Sequence, residues 1–305
     1  MPFLIGFLSF FVNKKNASKY FKTFIIIVVL SLIYPFSNLN FKQILNPAAH
    51  YIQMKDYINT AVEAQNANFK PNILKQGWIK EIGNKTIQIL PWELSYAAAN
   101  NLNWQPNPTL QLYSAYTKYL DELSAKSFVD KNPPEYILLK FNSIDYKNMF
   151  LDTPAVWNNV MENYFLKFED SEKLLLKKKP EVKIPEFKEL FTKQAKIGEE
   201  INIPKTQSKK FLYAKFEIKT SFVAKMLTLF FKGYPLSIEI KYKNGDSKNF
   251  RIIADTLQNP VIINYIPANL DEIKSFIRQS DYSKIAVEKI KFINAFPYFY
   301  SDKIK

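Results

Sequence analysis

The densest group of residues with recognisable chemistry runs from Asn100 to Thr117. It holds Asn100, Asn101 and Asn103, then Trp104, Pro106 and Pro108, then Tyr113, Ser114, Tyr116 and Thr117. Side-chain amides pair with hydroxyls as donor and as acceptor, and an aromatic ring covers the apolar face of a sugar. Asn100, Asn103, Trp104, Tyr113 and Tyr116 are therefore candidate contacts for a saccharide. The plainer alternative is an Asn/Pro-rich loop followed by a strand, because turns favour the same residues. Three carboxylates, Glu93, Asp145 and Asp152, fall near the ends of expected strands and helices, where α/β folds place functional groups. Paired carboxylates can act as acid and base or hold a hard cation. Nothing in their spacing demands it, and Asp152 before Thr153-Pro154 fits helix initiation. Glu93 and Asp145 join the candidate ligand contacts, and neither a metal site nor a cofactor is expected.

What the chain lacks narrows the chemistry further. It has no cysteine, which removes disulfide frameworks, thiolate metal sites and cysteine nucleophiles together. Its single histidine, His50, leaves no room for a multi-histidine metal site and reads as an incidental helix residue. A carboxylate-dependent transferase or hydrolase thus has few general bases to draw on and ranks last among the readings.

The net charge is +14, and 40 of the 42 basic residues are lysine. Arginine, which reads phosphates and base edges with two parallel bonds, occurs only as Arg251 and Arg278. Nucleic acid is therefore not an expected partner. Residues 43–180 are nearly balanced at 15 basic against 14 acidic, whereas residues 181–305 carry 22 against 14.

The elements that must position these residues follow from the hydrophobic pattern. Apolar positions Tyr51, Met54, Ile58, Ala61 and Val62 predict a helix over 47–67. Strands are expected at 86–90, 110–116 and 136–141, alternating with helices at 91–99, 118–128 and 154–165. That alternation implies a small parallel or mixed α/β layer over residues 43–180, ending in a hairpin at 164–168 and 173–176. After Lys177-Lys178-Lys179-Pro180 the pattern turns to strands. Leu236, Ile238, Ile240 and Tyr242 alternate with polar residues before Asn244-Gly245, a two-residue hairpin signal. With further strands at 211–218, 261–266, 286–292 and 295–300 and a helix at 270–277, residues 181–305 are expected to form an antiparallel β-sandwich. The apolar stretch 221–232 is read as a core strand and covering helix, with docking on a membrane surface as the alternative.

Nineteen uncharged residues separate Lys22 from Lys42, close to the ~20 that cross a bilayer. Lys14, Lys15, Lys19 and Lys22 precede them, which places the short basic segment in the cytoplasm. The expectation is an α+β multidomain membrane protein: an anchor over 1–42 with its span at about 23–41, an α/β domain over 43–180 and a β-sandwich over 181–305. Its location would be the bacterial cytoplasmic membrane, with everything after about residue 41 extracytoplasmic and the lipid bilayer as a partner. Apolar residues 1–12 are too short to span alone and read as the tail of a helix, an interfacial segment or one arm of a hairpin.

The run Pro91–Tyr116, with Asn103-Trp104, Pro106, Pro108 and Tyr113-Ser114-Ala115-Tyr116-Thr117, resembles a stretch of large uncharacterised bacterial membrane proteins. Phe216-Glu217-Ile218-Lys219 and Gly245-Asp246 with Arg251 are similar as well. In that group, many membrane helices of glycosyltransferase-like appearance precede a soluble tail. The resemblance covers most of residues 20–305 and implies that this chain corresponds to the tail, without a catalytic residue of its own. The function it suggests is an accessory or recognition module for envelope glycan assembly or transfer. The alternative is a structural or assembly protein that binds another, polytopic membrane protein.

Overall fold

The structure, a computed structural model, describes residues 47–206, 210–228, 236–294 and 299–304. In chain order its elements are α1 (Pro47–Phe69), α2 (Gln76–Ile82), β1 (Ile87–Leu90), α3 (Ser95–Ala99), α4 (Lys118–Lys126), β2 (Tyr136–Lys140), α5 (Met149–Asp152), α6 (Pro154–Asn163), β3 (Tyr164–Glu169) and β4 (Lys173–Lys178). Then come β5 (Ala195–Lys196), β6 (Glu200–Asn202), β7 (Tyr213–Ala214), β8 (Ile218–Thr220), α7 (Phe222–Thr228), β9 (Leu236–Tyr242), β10 (Ser247–Ile252), β11 (Val261–Ile262), α8 (Leu270–Ile277), β12 (Val287–Asn294) and β13 (Tyr300–Ile304). Of the described residues, 47–68 belong to one unit and those from Phe69 onward to another. In the first unit, Met54, Tyr57, Ile58 and Val62 of α1 are exposed.

The second unit is organised around a mixed sheet of order β1-β2-β4-β3. β1 and β2 run parallel, with Ile87 beside Tyr136 and Leu90 beside Leu139, while β4 is antiparallel to β2 and to β3. Both faces are buried, so the strands are apolar on both sides apart from Gln88: Ile87 to Leu90 and Tyr136 to Leu139 are all buried. The two-residue period still sorts their side chains. Ile87, Ile89, Tyr136, Leu138 and Leu175 pack with Trp78 and Ile82 of α2. Leu90, Ile137, Leu139, Leu174 and Leu176 face the other way, with Val156, Trp157 and Val160 of α6. Each fully buried aliphatic side chain contributes about 1.5–3 kcal/mol. This second core also takes in Ile262, Ile273, Phe276 and Ile285 from the C-terminal part of the chain.

The remaining strands make a second four-stranded sheet and two smaller ones. The longest has order β10-β9-β12-β6 and is antiparallel throughout. Its β9–β10 hairpin turns through Asn244 and Gly245, and Gly245 has φ +94°, a conformation open to glycine at little cost. Leu236, Ile238, Ile240 and Tyr242 of β9 alternate onto a core shared with Val287, Ile290 and Phe292 of β12. A three-stranded sheet β5-β13-β8 and the pair β11-β7 complete the fold.

This architecture corrects the expected fold class of a membrane protein with a spanning N-terminal helix, a small α/β domain and a C-terminal β-sandwich. Among the described residues, no helix is long and apolar enough to cross a membrane. α1 has the length, at 23 residues, but carries Lys55, Asp56 and Glu63 along it. The expected span at 23–41 and the apolar residues 1–12 lie outside the described residues. In place of a sandwich, the strands after Pro180 form several small sheets, because β5, β7 and β11 extend over only two residues each. The expected strand at 110–116 is irregular chain with one 3₁₀ turn, Leu112–Ser114. Of the apolar stretch 221–232, Phe222–Thr228 is helix, with Ala224 buried and Phe222 and Met226 exposed.

Candidate functional site

In a parallel pair of strands the chain leaves both carboxyl ends on the same side, and a crevice opens between the two departing loops. Here Pro91 and Trp92 follow β1, and Asn142, Ser143, Ile144 and Lys147 follow β2, and both sets line one crevice. Trp92 and Tyr113 meet edge to face on its rim, with ring centroids 5.6 Å apart and an interplanar angle of 81°. Exposed Asn142 and Ser143 add an amide and a hydroxyl. Lys147, Asp152 and Trp157, all buried, form the floor. The cavity there measures about 10 Å³, room for one water-sized group.

The floor is polar and tightly tied. Lys147 is 3% exposed; its Nζ lies 3.0 Å from Asp152 Oδ1, donates to the Tyr113 carbonyl at 3.2 Å and stands 4.8 Å from the centroid of the Tyr116 ring. The loop delivering it is strained: Asp145 and Tyr146 adopt φ of +56° and +59°, which costs a residue with a side chain about 1 kcal/mol or more. Arg251 of β10 holds that loop. Its backbone N–H donates to the Tyr146 carbonyl at 2.9 Å, and its guanidinium donates to Asp145 Oδ2 at 2.9 Å.

Burial pushes the Asp152 carboxyl up to about 6, against the opposing pull of Lys147 and, further off, Arg251. Two buried atoms of the floor, Trp157 Nε1 and Asp152 Oδ1, have no hydrogen-bond partner among the described residues. For Asp152 Oδ1 the Lys147 ammonium at 3.0 Å answers the charge, so this oxygen is engaged. The Trp157 N–H is an unmet donor outright, and such groups are rare enough in protein interiors to ask for a reason.

The seven residues singled out from sequence divide into two sets. Tyr113, Tyr116 and Asp145 come together around Lys147, through its carbonyl bond, its ring contact and the loop that carries it. The other four hold the scaffold. Asn100 accepts from Leu74 N and donates to the carbonyls of Asn72 and Tyr96, all at 2.8 Å, which leaves little for a ligand. Trp104 donates to buried Gln88 at 2.9 Å, and the backbone around it pairs with Ile87, covering the edge of β1. Asn103 donates to the Asn84 carbonyl at 3.0 Å. Glu93 accepts from Ser95, which accepts in turn from Asn72.

Asp152 departs from its expected part in helix initiation. The carboxylate that caps α6 belongs to Asp121 of α4, whose oxygens accept from Ala155 N at 3.0 Å, Val156 N at 3.2 Å and Asn259 Nδ2 at 2.8 Å. Asp152 is thereby left to the crevice. Trp92, Asn142, Ser143, Lys147 and Trp157 were not legible as a set, since only the crossover of the chain between β1 and β2 brings them together. Among the described residues, no group of three or more histidines and carboxylates is placed to hold a metal ion.

No family model, no curated protein and no solved structure matches the chain. The resemblance drawn from Asn103-Trp104 and its neighbours therefore stands on those residues alone.

Proposed function

We propose that this protein is a recognition module that binds a saccharide in the crevice at the carboxyl ends of β1 and β2. The observation that carries the reading is the pairing of an aromatic rim, Trp92 against Tyr113, with a floor that holds an unmet indole donor, Trp157 Nε1. Saccharide sites combine these elements: rings for the apolar face of the sugar and a few fixed polar atoms for its hydroxyls. Envelope glycan is the class of ligand the sequence suggested, and the relocation from Trp104 to Trp92 leaves that choice intact. Calorimetric titration with glycan oligosaccharides should show binding that Trp92→Ala weakens by about 10–100-fold, as loss of a ring stacked on a sugar does. Asn103→Ala should leave it unchanged. The reverse pattern would return the site to the Asn/Pro loop.

A second reading, an assembly protein that binds another protein, is favoured by one observation. Ile184, Leu190 and Phe191 of an extended stretch are more than 60% exposed, and Phe222 on α7 is 78% exposed. Exposed apolar residues on that scale fit an interface. Stoichiometric capture of a protein partner lost on Leu190→Asp, in a chain that binds no saccharide, would favour it.

A further inference from the structure

The cavity on the crevice floor, about 10 Å³, takes one water-sized group. Pockets that enclose a small ligand measure ~300 Å³ or more. A sugar bound here therefore lies on the surface, and the rings around the opening must hold it. Four aromatic side chains gather on the loops that form it. Trp92 and Tyr113, both half-buried, meet on the rim. Tyr116 is 48% exposed, and its ring centroid lies 4.8 Å from the Nζ of Lys147, which lines the crevice. Tyr146 is 88% exposed and stands in the loop between the lining residues Ile144 and Lys147.

Tyr146 is the informative member. Its φ of +59° is one that bulky residues rarely adopt, and a ring left in water adds little to the fold. The chain nevertheless holds it there: the Arg251 N–H donates to the Tyr146 carbonyl at 2.9 Å, and the Arg251 guanidinium donates to Asp145 beside it at 2.9 Å. Backbone strain kept in place by a clamp, around a ring presented to solvent, points to a use outside the fold. A proline-rich peptide also lies on exposed rings. The Asn142 amide, the Ser143 hydroxyl and the Trp157 N–H in the same lining favour a ligand dense in hydroxyls.

Resting on the crevice as a saccharide site, we infer that its ligand is a chain of sugars: Trp92 and Tyr113 take the unit at the crevice, and Tyr116 and Tyr146 take the units next to it. A single sugar meets too little of this open surface to bind tightly, whereas linked sugars add one ring contact after another without a further association cost.

The test is calorimetric titration of the full chain with β-1,4-linked oligomers of N-acetylglucosamine and of glucose, from dimer to hexamer. In the series that binds, affinity should climb by about tenfold or more from dimer to tetramer and then level off, since each added ring contact is worth about two- to tenfold. Tyr146→Ala should lower tetramer affinity about tenfold and flatten the climb, whereas Trp92→Ala should weaken dimer and tetramer alike. The Tyr146 ring lies in solvent, so its removal spares the fold. As a measurement that needs no variant, the Tyr146 ring resonances of the unaltered protein should move on titration with the tetramer and not with the dimer. Affinity that ignores length, or a climb that Tyr146→Ala leaves in place, would overturn the inference while binding weakened by Trp92→Ala left the saccharide site standing. Failure of every oligomer to bind, with or without binding of a proline-rich peptide in their place, would overturn both.

Discussion

Lys147→Met should lower stability at pH 7.5 by about 3–5 kcal/mol, the usual cost of leaving one partner of a buried ion pair alone. Methionine nearly matches the volume of lysine, so packing is largely preserved and the loss comes from charge. What remains is the Asp152 carboxyl, buried at 8% exposure, with Arg251 occupied by Asp145. Burial already holds that carboxyl up to about 6 with lysine beside it, and without the lysine it takes up a proton more readily still. At pH 5 the group is then neutral in the variant, and the cost should fall to about 1–2 kcal/mol. Urea midpoints for the two proteins at both pH values provide the comparison. Equal losses at pH 5 and 7.5 would show that shape, not charge, sets the cost.

The second large effect is expected at Asp121. This carboxylate closes the first turn of α6 from another helix, and removing it leaves the Ala155 and Val156 N–H groups and the Asn259 amide without their acceptor. Asp121→Ala should cost about 2–4 kcal/mol, a helix cap together with newly orphaned buried donors. Asp121 also shapes the pH response. Burial raises its carboxyl to about 6, the same direction and range as Asp152. A raised acid binds its proton more tightly in the folded state, so the stability it contributes is full below about pH 4 and is lost as pH rises through about 6. Glu81 runs the other way: hydrogen bonds from Tyr136 and Lys177 hold it down to about 2, so its contribution is lost as pH falls below about 4.5. Between pH 4.5 and 6, only the raised aspartates of these three change charge. Thermal midpoints should fall across that window by on the order of 5–10 °C, and the slope should be roughly halved in Asp121→Asn. A midpoint that rises over the same interval would contradict the assignment.

Sequence pattern reached the elements whose signal is local. The β9–β10 hairpin follows from strict alternation into Asn244-Gly245, and the β3–β4 hairpin from apolar runs flanking Glu169-Asp170-Ser171-Glu172. It failed where one residue type serves two purposes. Asn100 looks like a ligand amide but spends its donors and acceptor on three backbone groups, which composition cannot distinguish. The expected sandwich failed because Ile262, Phe276 and Ile285 read as apolar in any fold, and only the tertiary structure shows them packed beside Trp157. The crevice was partly visible: of its lining, Tyr113 and Asp152 were marked by type, and Tyr116 and Asp145 stand near it around Lys147. Lys147 was not, because nothing in a lysine's sequence neighbourhood announces that it is buried.

The bond from Arg251 to the 145–146 loop carries a consequence for how the molecule can be divided. A fragment ending at Pro180 would contain every lining residue of the crevice, yet would lack both the clamp on its strained turn and the apolar cover from α8 and β11. The pieces 69–180 and 181–305 should each be poorly structured when made separately, because each exposes half of a core. Mixed, they have a shared core and an ion pair to recover, so the return of cooperative unfolding would report reassembly. The protein would in that case behave as a natural split pair, disordered in halves and ordered when the two are brought together.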